Sequence, residues 1–167
     1  TRVEKNGKLT LKLPGGGGGC NLSCDAAHVT IWTAAHRAPP DDQGLRRYRL
    51  VEHCDFVTSL GHRTAEGMHR SRMPFRGQGP DCIITDLGIF EFNSDGHAQL
   101  RAVYPDTNVE LVAENTEFDF PLAENLTTAD LPDIEMIEFI RRLDPMKIHQ
   151  RELNHADRER TFPLDGV

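Results

Sequence analysis

Five consecutive glycines, Gly15 to Gly19, separate an alternating apolar run (Leu9, Leu11, Leu13, closed by Pro14) from a helical-looking segment that begins at Cys20. Glycine loses more backbone entropy on folding than any other residue, so an ordered five-glycine turn is costly unless bare backbone is needed there. A strand, a turn without side chains and a helix start together offer unpaired N–H groups to an anion or a developing oxyanion. The competing reading is a flexible linker, the commonest use of glycine runs. The run is short, lacks serine and is bracketed by patterned segments, which favours a site.

A chain of 167 residues has the size of one domain, with enough apolar residues for a core: 38% are hydrophobic and 27% charged. A net charge of −7 argues against a general nucleic-acid binder, whose phosphate contacts require a basic surface. No apolar run reaches a membrane-spanning length, and no signal-peptide pattern is visible. Cys20, Cys24, Cys54 and Cys82 are too sparse for a disulfide scaffold, so a reducing cytoplasm is the expected location. Thr1 suggests a processed product or a fragment. As an N-terminal nucleophile it is disfavoured, because Arg2, Glu4, Lys5 and Asn6 surround it with polarity.

Periodicity predicts a strand over 7–13, a short helix over 20–27, and strands at His28–Thr33, Arg49–Ser59, Cys82–Thr85, Gly88–Phe92 and Gln99–Tyr104. Asn93–Gly96 reads as a hairpin turn. Residues 61–80 read as a long loop. A helix over Asn108–Asn115 with Thr107 as N-cap, a brief strand at Glu117–Phe120, an acidic linker, a helix at Asp133–Leu143 and a second one over Pro145–Leu153 complete the expectation. Residues 1–154 are expected to form a single α/β domain with an open mixed sheet flanked by helices, and 155–167 a polar tail. Phe90, Phe92 and Val103 are candidate core residues, and Asp86 a structural residue at a strand kink before Gly88.

The ordered pieces carry a resemblance: the Leu-Pro-Gly-rich turn with its helix, "FVTSLG", a long loop, "IITDLGIFEF", a hairpin and "YPDTNVELVAENTEFDF". From about Leu9 to Asn154, and most specifically at Leu13–Gly18, Ile84–Phe92 and Tyr104–Phe118, the chain resembles the C-terminal part of the β subunit of class I coenzyme A-transferases, glutaconate-type and 3-oxoacid-type. The resemblance implies an open α/β (NagB/RpiA-like) domain paired with an α-type subunit. It also implies transfer of coenzyme A between carboxylic acids through a glutamyl-CoA intermediate, with coenzyme A as substrate and no permanently bound cofactor. The glycine run matches the family's active-site loop, which makes Gly16, Gly17, Gly18 and Gly19 the candidate oxyanion element, with Cys20 and Asn21 beside it as candidate substrate- or CoA-binding residues. In that family the nucleophilic glutamate lies upstream of the loop, in the first half of the β subunit, so it is expected from a segment this chain does not contain. Glu52 and Glu66 match no such motif.

Where glutaconate-type enzymes read Ala-Asn-Asp after the glycines, this chain reads Gly19-Cys20-Asn21. Related two-subunit hydrolases that open a steroid-derived ring as its CoA thioester carry an asparagine nearby, so such a hydrolase is the second expectation. A non-catalytic scaffolding subunit, in which the glycines only permit close packing, is the third.

His62, Arg63, His69, Arg70, Arg72 and Arg76 make the long loop basic in an acidic chain. Arg70, Arg72 and Arg76 are candidates to hold coenzyme A phosphates or a substrate carboxylate, against the alternative of a solvated loop that meets acidic residues of the partner. Arg46, Arg47 and Arg49 read most simply as a solvated strand edge. Cys20, Cys24 and His28 recur every four residues, with His36 further along, but the spacing fits no usual zinc hairpin and no metal is expected.

Overall fold

The computed structural model describes residues 2–5, 8–12, 17–54, 57–64 and 66–148. Two short strands, β1 (Arg2–Lys5) and β2 (Lys8–Lys12), pair antiparallel with an irregularity between Val3 and Glu4. The strand expected over 7–13 is therefore present, but its partner is β1 and not the main sheet. Helix α1 (Gly19–Asp25) follows, and then the main sheet: β3 (Thr30–Thr33), β4 (Cys82–Thr85), β5 (Gly88–Phe92), β6 (Ala98–Val103) and β7 (Leu122–Thr128), side by side in that order. β3 runs parallel to β4 and β6 parallel to β7, while β4, β5 and β6 form an antiparallel meander.

Connection length decides this mixture, because tight turns allow only antiparallel pairs and parallel pairs need a crossover. Thr85 closes the β4–β5 turn: its Oγ1 accepts N–H bonds from Leu87 (3.1 Å) and Gly88 (3.0 Å). Asn93 closes the β5–β6 hairpin, its Oδ1 accepting from the Asp95 and His97 amides, with Gly96 at φ +78°. Between β6 and β7 lies α2 (Val109–Glu114).

The core sits between α2 and one face of the meander, where Leu87, Phe90, Leu100 and Val112 are fully buried. Phe90 meets Phe120 edge to face, with ring centroids 5.2 Å apart. Gly88 is a packing glycine, since a Cβ there would lie 2.7 Å from the Ala102 carbonyl oxygen on β6. Of the expected core residues, Phe90 is buried, whereas Phe92 and Val103 are half-buried.

Several expectations need correction. Asn108, not Thr107, caps α2, accepting the Leu111 amide at 2.8 Å; Thr107 instead accepts the Tyr104 amide and donates to the Leu87 carbonyl. No strand forms over Arg49–Ser59 among the described residues: Leu50 alone makes a bridge, to Thr116, and 55–56 lie outside them. Glu117–Phe120 is likewise irregular, and the strand is the following segment, β7, whose sequence reads as a linker. Helix α3 (Ile134–Leu143) forms as expected, capped by Asp133, whose Oδ1 accepts the Met136 amide at 2.7 Å. Pro145–Lys147 turn rather than continue as a helix, with Lys147 at φ +51°; from residue 149 on, that expected helix and the tail lie outside the described residues.

Candidate functional site

The glycine run enters α1 in two steps. Gly17 is left-handed (φ +50°), a conformation that costs an L side chain about 1–2 kcal/mol. Gly18 is right-handed and serves as the N-cap, its carbonyl accepting the Leu22 amide at 3.0 Å, with no side chain to satisfy the first-turn N–H groups. Gly17, Gly18 and Gly19 are exposed, and among the described residues nothing lies within 4 Å of where a Cβ would stand on any of them. Among the described residues, the main chain of this turn is therefore open to approach. Gly15 and Gly16 lie outside the described residues.

Cys20 is half-buried and its thiol bonds to the Thr58 carbonyl, while Asn21 is exposed beside it. The far end of α1 is held by Arg70. Its Nη2 donates to the carbonyls of Ser23 (2.5 Å) and Cys24 (2.6 Å), Nε to Gly77 (2.9 Å), and Nη1 to Gly61 (3.1 Å) and Leu60 (3.4 Å). A cation on the last carbonyls of a helix meets the negative end of its dipole. Gly77 closes the same junction, its amide bonding the Cys24 carbonyl at 3.0 Å where a Cβ would collide with Ala26. Buried and bonded on every nitrogen, Arg70 is turned to backbone and not to a ligand-facing surface.

The basic loop thus divides in two. His62 bonds the Pro80 carbonyl and lies tilted against Phe92, with ring centroids 4.5 Å apart, Arg63 bonds the Asp95 carbonyl, and His69 caps a 3₁₀ turn at Arg70–Arg72. Arg72 and Arg76 are exposed, with no side-chain partner among the described residues.

A second constellation forms past the carboxyl ends of β3 and β4. His36 is fully buried, its Nδ1 2.9 Å from Thr85 Oγ1 and its Nε2 3.0 Å from Thr116 Oγ1. Burial pushes its pKa down to about 4, so the ring is neutral at pH 7. A neutral ring has a single N–H, which it donates to one of the two hydroxyls, while the hydroxyls themselves also reach backbone carbonyls, Thr85 that of Gly88 (2.9 Å) and Thr116 that of Val112 (2.8 Å). The Asp86 carboxylate takes the His36 amide (2.7 Å) and pairs with Arg37 (3.3 Å), which fits the structural role expected of it. Asn115 Oδ1 accepts the Ala38 amide, so residues 36–38 are tied to both neighbouring elements. Beside them opens a cleft of about 280 Å³ lined by Arg37, Arg47 and Arg49, among others. The sequence alone puts Arg47 and Arg49 on a solvated edge; the available clue is their period-two spacing, which places both on one side of an extended segment.

Cys20, Cys24, His28 and His36 are not brought together. His28 faces Asp81 at 3.5 Å and His36 is enclosed by threonines. No group of three or more potential metal ligands occurs among the described residues, nor is any helix there long and apolar enough to cross a membrane.

The described residues thus combine an open mixed sheet that has parallel pairs at both edges with a helix entered through glycines. The chain is related to the β subunits of coenzyme A-transferases. It is 30% identical over 146 residues to the β subunit of 3-oxoadipate CoA-transferase from Pseudomonas knackmussii, covering 86% of this chain and 52% of that one. It is 35% identical over 100 residues to the β subunit of glutaconate CoA-transferase from Acidaminococcus fermentans, covering 58% and 37%. The chain therefore spans about half or less of the length of these relatives. The crystal structure of the Acidaminococcus fermentans glutaconate coenzyme A-transferase shares the fold, with a TM-score of 0.63 at 24% identity over 92% of this chain and 54% of that one. So does that of Rhodococcus jostii RHA1 IpdAB, with a TM-score of 0.65 at 21% identity over 92% and 58%. No protein-family model matches the chain.

Proposed function

We propose that this chain is part of a cytoplasmic coenzyme A-transferase that moves coenzyme A between carboxylic acids, active with an α-type partner subunit. The observation that carries the reading is the 30% identity to the 3-oxoadipate CoA-transferase β subunit, maintained over 86% of the chain. In this reading Gly16–Gly19 direct main-chain N–H groups at the thioester oxygen, where charge develops as a carboxylate attacks. Cys20 and Asn21 flank that position, and Arg72 and Arg76 meet anionic groups of the substrate. Arg70 positions α1 from behind and touches no substrate. The nucleophilic glutamate comes from a segment outside this chain: its carboxylate attacks the acyl-CoA carbonyl, forming a mixed anhydride and expelling CoA thiolate, and the thiolate then attacks the glutamyl carbonyl of the anhydride, releasing the first acid as its carboxylate and leaving a glutamyl-CoA thioester that the second acid resolves by the reverse steps.

The hydrolase reading is kept by one observation: a neutral Asn21 stands where an acid follows the glycines in glutaconate-type enzymes. The scaffold reading is separated by Gly17→Val: a large fall in turnover with assembly preserved excludes it. Borohydride reduction of the assembled complex after incubation with acyl-CoA separates the enzymes. Transfer predicts a trapped, reduced glutamyl residue; its absence together with release of free acid from a cyclic acyl-CoA selects the hydrolase.

A further inference from the structure

Helix α3 carries an apolar stripe that nothing among the described residues buries. Met136, Phe139, Ile140 and Leu143 follow one another at i, i+3, i+4 and i+7, the spacing that puts four side chains on one face of a helix. All four are exposed, Phe139 at 53% and Leu143 at 67%, and no residue of α3 is buried. Leu131 and Met146, just beyond its two ends, are exposed as well. Single apolar residues on a surface are ordinary, but a contiguous stripe of them marks a contact surface.

The charges beside the stripe decide what fits it. Glu135 and Arg142 are seven residues apart, so they share one flank of the stripe but stand about 10 Å apart along the axis, too far to pair with each other. Neither side chain has an ion-pair or hydrogen-bond partner among the described residues. Glu138 and Arg141 lie on the opposite side of the helix, away from the stripe. A second α3 laid antiparallel across a two-fold axis would set Met136 against Leu143 and Phe139 against Ile140 of the other copy. On the charged flank, Glu135 of each copy would then meet Arg142 of the other, at both ends of the contact. In a parallel copy Glu135 would face the other flank, with Asp133 and Ile137, and find no cation there.

We infer that α3 is a self-association surface that takes the α3 of a second copy of this chain, antiparallel and two-fold, through the Met136–Leu143 stripe and reciprocal Glu135–Arg142 pairs. The order of charge along the flank is complementary to its own reverse, which is what selects a second copy. The inference goes beyond the acyl-CoA reading and involves no step of its chemistry.

Native mass spectrometry of the assembled complex tests it by counting copies of this chain per particle. Wild type is expected to hold an even number, and Phe139→Asp half as many. Glu135→Arg sets arginine against arginine at both ends and should weaken the association roughly tenfold or more, as should Arg142→Glu with its opposed carboxylates. Glu135→Arg/Arg142→Glu re-forms both pairs in reverse and should restore the wild-type count, a rescue that only self-pairing gives. The inference is overturned by a single copy of this chain in wild type, by an unchanged count in Phe139→Asp, by failure of the double reversal to rescue, or by loss of a different polypeptide from the Phe139→Asp particle, which would assign the stripe to the partner subunit. Because copies and not turnover are read, the expected counts alongside a failed borohydride trap reject only the transferase chemistry. A trapped glutamyl residue in a complex with one copy of this chain rejects only the self-association.

Discussion

Arg70, in the long loop, donates from Nη2 to the Ser23 carbonyl at 2.5 Å, joining a segment with no regular period to the last turn of the helix that the glycine run opens. Leu60, Gly61, Gly77 and Cys24 offer their carbonyls to the same guanidinium, and Phe75 lies 5.5 Å from it. One buried cation thus organises the loop and sets the axis of α1, at whose other end the bare amides sit.

Replacing Arg70 with methionine strands several buried carbonyls. Hydrogen bonds to charged groups contribute about 1.5–3 kcal/mol each, so the expected loss exceeds about 3 kcal/mol in urea unfolding. Hydrogen exchange should speed up across Gly19–Asp25 first. An α1 as protected as in wild type would contradict the role given to Arg70.

Gly18→Ala separates a structural from a catalytic use of the glycines. Gly18 is right-handed with free space over it, so alanine should leave stability unchanged or raise it by a few tenths of a kcal/mol. Turnover of the assembled complex should nevertheless fall, because a methyl group now stands over the amides. Gly17→Val adds left-handed strain of about 1–2 kcal/mol to the same obstruction. Full turnover in assembled Gly18→Ala would remove the oxyanion role.

Gly88→Ala should be among the most damaging single-methyl changes, as its Cβ would sit 2.7 Å from the Ala102 carbonyl on the neighbouring strand. Overpacking of this kind costs about 1–3 kcal/mol. The midpoint of thermal unfolding is expected to drop by several degrees.

His36 makes stability depend on pH. Its folded pKa is lowered to about 4 from 6.5, so between those values the unfolded chain binds more protons. The neutral ring's contribution is complete above about pH 6.5 and is lost as pH falls toward 4, by about 3 kcal/mol in all. Urea unfolding of wild type and His36→Gln at pH 7 and pH 4.5 should show a smaller drop in the variant; equal drops would disprove the assignment.

Features that depend on a few neighbouring residues were legible in the sequence. The β5–β6 hairpin follows from Asn93 and Gly96, α3 from the Asp133 cap and its apolar spacing, and the buried Phe90 from alternation along β5. Errors arose where the partner was distant. Arg49–Ser59 has a strand-like composition but, among the described residues, finds only the Leu50–Thr116 bridge, while β7, polar enough to pass for a linker, is a strand because β6 supplies its ladder. A strand requires a neighbour, and composition does not say whether one exists.

The candidate site divides the same way. The bare turn at Gly17–Gly19 was visible as written, since missing side chains need no partner to be noticed. The fates of the arginines were not. Arg70 went inside because the chain brought five carbonyls to it from residues up to 47 positions away, whereas Arg47 and Arg49 stay exposed along a cleft that Asp41 and Asp86 also line. Residue type sets what a guanidinium can bind; only the assembled fold settles whether it faces backbone, a carboxylate or an open cleft, because that depends on groups far apart in the chain meeting within about 3 Å.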